Sequence, residues 1–165
     1  MLRTGVGVAA CCLLITVVST ATPLDTAYDM LQALEWGDAE GVMDLLSADV
    51  RARVDAALDA LRLLSQQNPA AASDLLRSLN LGIVPADLED MSGAELLALV
   101  MQRRGLRFHL SEVEREHVSM SGRTAEVGLV LLDGDSLHMS MVWEEGSWRV
   151  SGSRLVDRLL AGVGR

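Results

Sequence analysis

A single change of hydrophobic period, at Gly105, limits what this chain can fold into. From residue 22 to residue 104 the apolar side chains recur every three or four positions, and from 106 to 156 they alternate. The first spacing lines one face of a helix and the second lines one face of a strand. Because the two patterns are segregated rather than interleaved, the expected class is α+β, with N-terminal helices packed on a curved antiparallel sheet. Ser121-Gly122, Asp133-Gly134 and Glu145-Gly146 are turn signals, so the alternating half divides into four strands joined as a meander.

The helical half carries its own punctuation. Thr22-Pro23 opens a first helix whose stripe is Leu24, Ala27, Tyr28, Leu31 and Leu34, and Gly37 ends it. Asp38 caps a short second helix bearing Val42, Leu45 and Leu46. Asp49 is the expected cap of a third, with Val50, Val54, Ala57, Leu58, Leu61 and Leu64 on one side. Asn68-Pro69 starts a fourth around Ala72, Leu75, Leu76 and Leu79. After a break at residues 81–85, Ser92-Gly93-Ala94-Glu95 reads as a capping box opening a helix through Arg104, with Gly105 as its stop.

In the alternating half, Leu106, Phe108 and Leu110 start in phase and the phase slips around Val113, which predicts a bulge. A turn centred on Glu145-Gly146 pairs Trp143 with Trp148 and Met141 with Val150, and Leu137 and Met139 share that face. The preceding hairpin has two possible registers, and a one-residue slip exchanges the faces. A three-residue loop ending at a left-handed Gly134 sets Ala125, Val127, Leu129 and Leu131 beside the methionines and turns Glu126 outward. A two-residue loop would bury Glu126 beside Met141, where desolvation would make a usable general base. Hydrophobic patterning favours the three-residue loop.

Residues 1–21 have the anatomy of a secretory signal peptide: Arg3, an apolar run from Gly5 to Val18, and small residues leading to cleavage after Ala21. The uncharged span from Thr4 to Leu24 is long enough to act as a membrane anchor if retained. Val8-Ala9-Ala10-Cys11 resembles a lipobox, making lipidation of Cys11 a further alternative. Cys11 and Cys12 are the only cysteines, so removal of the leader leaves neither disulfide nor thiolate site. The mature part, 22–165, is then one domain, secreted or periplasmic. Its 14 basic residues are all arginine against 23 acidic ones, for a net charge of -9, which disfavours nucleic acid as a partner.

Two stretches carry a family resemblance. Residues 33–50, ALEWGDAEGVMDLLSADV, resemble the opening of nuclear transport factor 2-like domains, and Gly146-Ser147-Trp148-Arg149-Val150 is similar to their last strand. The resemblance implies a cone: a bent sheet wrapped on helices around a pocket, used by ketosteroid isomerase-like and polyketide cyclase-like enzymes and by many non-catalytic modules. Enzymes of that kind place an aspartate or histidine on the inner face, and under the favoured register no residue here matches. The expectation is therefore an exported, non-catalytic binding or interaction module of the bacterial cell envelope. The alternative is an isomerase or hydratase using Glu126.

Phe108, Val127, Leu129, Met139, Met141, Trp143 and Trp148 are the candidate lining for a small apolar ligand, and ordinary core packing against Leu31, Leu34 and Leu58 is the competing reading. His109, His117 and His138 lack ligand spacing and are expected at the surface, so neither metal nor cofactor is expected. Glu112, Glu114 and Glu116 alternate as a solvated edge would. A protein partner, or a second copy of the chain on the outer sheet face, remains as the binding alternative.

Overall fold

The computed structural model describes residues 21–104, 113–132, 134 and 136–153. Among these residues five α-helices are followed by a four-stranded antiparallel sheet: α1 Pro23–Trp36, α2 Ala39–Leu45, α3 Ala48–Gln67, α4 Pro69–Ser78, α5 Gly93–Arg104, then β1 Val113–Ser121, β2 Thr124–Leu131, β3 Ser136–Glu144 and β4 Ser147–Ser153. The strands lie in chain order, as a meander of consecutive hairpins must. The fold class is thus α+β, as the change of period predicts. Residues 105–112, among them Phe108 and His109, fall outside the described residues, as do residues 1–20, 133, 135 and 154–165.

Local chemistry explains the helix starts. The Thr22 hydroxyl accepts from the Asp25 amide at 3.2 Å while the Asp25 carboxylate accepts from the Thr22 amide at 2.8 Å, closing a capping box ahead of Pro23. Ser92 and Glu95 repeat the arrangement at α5, as expected, with bonds of 2.6 and 3.2 Å. At α3 the expectation is corrected: Ser47, not Asp49, is the cap, and its hydroxyl accepts from the Val50 amide at 3.4 Å. Asp49 sits in the first turn, where a negative charge complements the helix dipole. Leu46 is likewise extended rather than helical, and it forms a parallel bridge with Val150.

One core joins the layers. Ala27, Met30, Leu31 and Leu34 of α1, Val50, Leu58 and Leu61 of α3, and Leu96 and Leu97 of α5 pack in a single cluster with Val127, Leu129, Met139, Met141, Trp148 and Val150 of the sheet. α5 approaches α3 closely because residue 93 is glycine; a Cβ there would lie 2.6 Å from the Asp55 carboxylate and 3.4 Å from a Val54 methyl.

The register between β2 and β3 is the one that patterning favours. Ala125 faces Met141, Val127 faces Met139 and Leu129 faces Leu137, with Glu126 opposite Ser140 on the other side. Gly134 takes φ 89°, and its amide donates to the Leu131 carbonyl at 2.9 Å to close the three-residue loop. In the next hairpin Glu145 and Gly146 have φ 49° and 84°, the two left-handed residues that let a two-residue turn follow the strand twist. Trp143 and Trp148 are direct partners, with ring centroids 5.4 Å apart and planes at 71°. The bulge expected near Val113 appears as a register shift between Val113 and Arg115. A second shift, beside Ser140 and Met141, has no counterpart in the sequence pattern.

The tip of this hairpin also fastens two helices. The Glu144 carboxylate accepts from the Ala48 amide at 3.0 Å, at the positive end of α3, and the Arg149 guanidinium donates to the Asp44 carbonyl in the last turn of α2. Between them the Ser47 amide donates to the Val150 carbonyl at 2.9 Å. Glu144→Ala is expected to cost about 1 kcal/mol, the usual value of a helix cap, read as a lower urea midpoint at constant slope.

Candidate functional site

The sheet presents two chemically opposite faces, and the sequence-derived residues divide between them. On the helix side Val127, Leu129 and Met139 are 0% exposed and Met141 is 1% exposed. Trp148 is buried beside them and Trp143 is half-buried at the rim. Among the described residues the candidate lining is therefore brought together, and it packs against helix side chains in one core cluster. Phe108 lies outside the described residues. Glu126 stands apart, exposed on the opposite face, where it accepts a 3.1 Å hydrogen bond from the Ser140 hydroxyl.

The helices do not cover the helix-side row of β1. Glu116, Val118 and Met120 pair with Leu129, Val127 and Ala125 and so share the inner face, yet all three are exposed. Tyr28 of α1 spans part of this strip, its hydroxyl donating to the Glu116 carboxylate. That bond to an anion, followed by burial and the nearby charge, pushes the phenol up from 10.0 to about 12. Because ionisation is harder in the folded chain, the stabilisation is complete below about pH 10 and is lost as pH rises towards 12. Tyr28 is the only tyrosine. Phenolate absorbance should therefore emerge as one transition near pH 12 and shift back towards pH 10 in Glu116→Gln.

The outer face is largely polar. One of its rows, missed by sequence reasoning, runs His117, Gly128, His138 across β1, β2 and β3. The histidines are far apart in sequence, and only the register sets both beside the same glycine. The neighbouring row runs Ser119, Glu126, Ser140 and Gly152.

Elsewhere, Arg62 of α3 and Pro85, Leu88 and Glu89 border an open cleft, but the guanidinium there already serves three carbonyls of the connection before α5. Among the described residues, no group of three or more His, Cys, Asp or Glu is arranged to hold a metal ion, and no helix is long and apolar enough to cross a membrane. No family model, curated protein or solved structure matches the chain.

Proposed function

We propose that this chain is an exported, non-catalytic interaction module with the cone architecture of nuclear transport factor 2-like domains, its interior given over to packing and its recognition of a protein partner carried on the outside. One observation carries the reading: Val127, Leu129, Met139 and Met141 have 0–1% exposure. Surfaces without access to a water-sized sphere border no cavity, and even a single apolar ring needs about 150 Å³. Glu126, the one carboxylate proposed as a base, stands in solvent on the far side, away from the enclosure that a buried base requires.

Export is supported by the position of the expected cleavage. It falls immediately before Thr22, the exposed cap of α1, so trimming at Ala21 removes nothing from the described helices and sheet. Mass measurement of exported material is expected to give a chain beginning at Thr22; a lipid-bearing Cys11 or an intact leader would overturn this part. The internal claim is tested separately. Titration with Nile red, an apolar dye, should show no saturable uptake and no quenching of tryptophan emission at micromolar concentrations. One-to-one uptake that Met141→Trp abolishes would return the interior to ligand binding and reopen the isomerase reading. A second copy is the competing occupant of the outer face, and concentration-dependent sedimentation would identify it.

A further inference from the structure

Gly128 occupies the middle of β2, a central strand, where a residue without a side chain weakens a sheet and usually marks a close approach. A methyl group placed on it would lie 3.4 Å from Nδ1 and 3.5 Å from Cε1 of His138, and 3.9 Å from Cβ of His117. The His138 imidazole therefore leans across the strand over the glycine, towards β1, and His117 flanks the same spot from the other side. Both rings are exposed.

We propose that His117 and His138 together bind one borderline divalent transition-metal ion, of the Cu2+, Ni2+ or Zn2+ class, in the trough above Gly128. The distances put the His117 Cβ within about 7 Å of the His138 Nδ1. An imidazole spans roughly 3.6 Å from Cβ to Nε2, and two nitrogens on one ion lie about 3–4 Å apart, so the two lengths together match that separation when His117 swings towards β3. One ion can thus bridge the two rings through side-chain rotation alone. Imidazole suits these ions and disfavours Ca2+ and Mg2+, which require oxygen donors. Two protein donors leave positions for water. Glu126, one row along the same face, supplies a carboxylate near the charge, with Ser140 as its present partner. The site lies on the outer face that the proposed function gives to partner recognition, but metal binding is read on the isolated chain and so stands or falls separately from that reading.

The test is titration of the tag-free full chain with Cu2+, after alkylation of Cys11 and Cys12 so that thiols cannot compete. The expected result is one equivalent bound, with an electron paramagnetic resonance spectrum showing two imidazole nitrogens. His117→Gln and His138→Gln should each weaken binding at least about tenfold and leave a single-nitrogen spectrum, because each breaks the chelate. Gly128→Val, which removes no donor but fills the trough, should also weaken it, with folding verified by circular dichroism. Two weak equivalents, with each histidine variant losing one and leaving the other unchanged, would show independent surface histidines and overturn the proposal. So would binding unaffected by either variant.

Discussion

Trp148→Ala is expected to lower the free energy of unfolding by about 3–5 kcal/mol, the range for truncating a buried large aromatic. The indole is 7% exposed and belongs to the same core as Leu31, Leu58 and Met141, so its removal leaves a cavity lined from both layers. It also ends the edge-on contact with Trp143, worth about 0.5–1.5 kcal/mol beyond simple burial. Trp143→Ala should cost less, because that ring is only half-buried. The comparison separates burial from stacking: if stacking dominated, the two variants would lose similar amounts. Urea unfolding followed by far-ultraviolet circular dichroism measures both without relying on the deleted fluorophore. A loss below about 1 kcal/mol for Trp148 would place its ring outside the core and remove the basis for the sheet's orientation.

What could be read from the sequence was whatever local chemistry determines. Capping residues fixed the starts of α1 and α5, and the alternation of Val127, Leu129, Met139 and Met141 selected the register, since the rival register would bury Glu126 and expose valine and leucine. Ser47 and Asp49 both carry an oxygen able to accept from an amide, so residue type alone does not separate the cap of α3 from its first turn. The deciding contact, Ser47 to the Val150 carbonyl, links residues about a hundred positions apart. The roles of Glu144 and Arg149 at the helix ends were hidden for the same reason: a charged turn looks alike whether it faces water or a helix dipole. The histidine row was equally invisible, because two histidines 21 positions apart become neighbours of one glycine only after two strand registers are fixed together. Patterning reports which face a residue takes; it does not report which side chain lies across from it.

Arg62 shows how much such a hidden contact can hold, and Arg62→Met is expected to cost about 2–3 kcal/mol. Its Nε donates to the Leu88 carbonyl at 2.9 Å, and Nη2 donates to the carbonyls of Glu89 and Met91 at 3.3 and 2.6 Å. These carbonyls border the turn that carries Leu88, a fully buried core residue, into the capping box of α5. Hydrogen bonds from a charged donor contribute about 1.5–3 kcal/mol each, but the side chain is 32% exposed, so water replaces part of what is lost and the sum is discounted accordingly. Methionine keeps the apolar stem, which isolates the guanidinium. Lysine should fail to rescue, since one ammonium cannot reach three carbonyls as a planar fork can. Asp59→Ala should change stability by less than about 0.5 kcal/mol, because its ion pair with Arg62 is a 72% exposed neighbour on the same helix. Hydrogen exchange adds the local signature: residues 85–92 should lose protection before the strands do, as a connection released from its clamp opens without global unfolding. Equal loss of protection in β2 and β3 would mean that Arg62 supports the whole core rather than this connection.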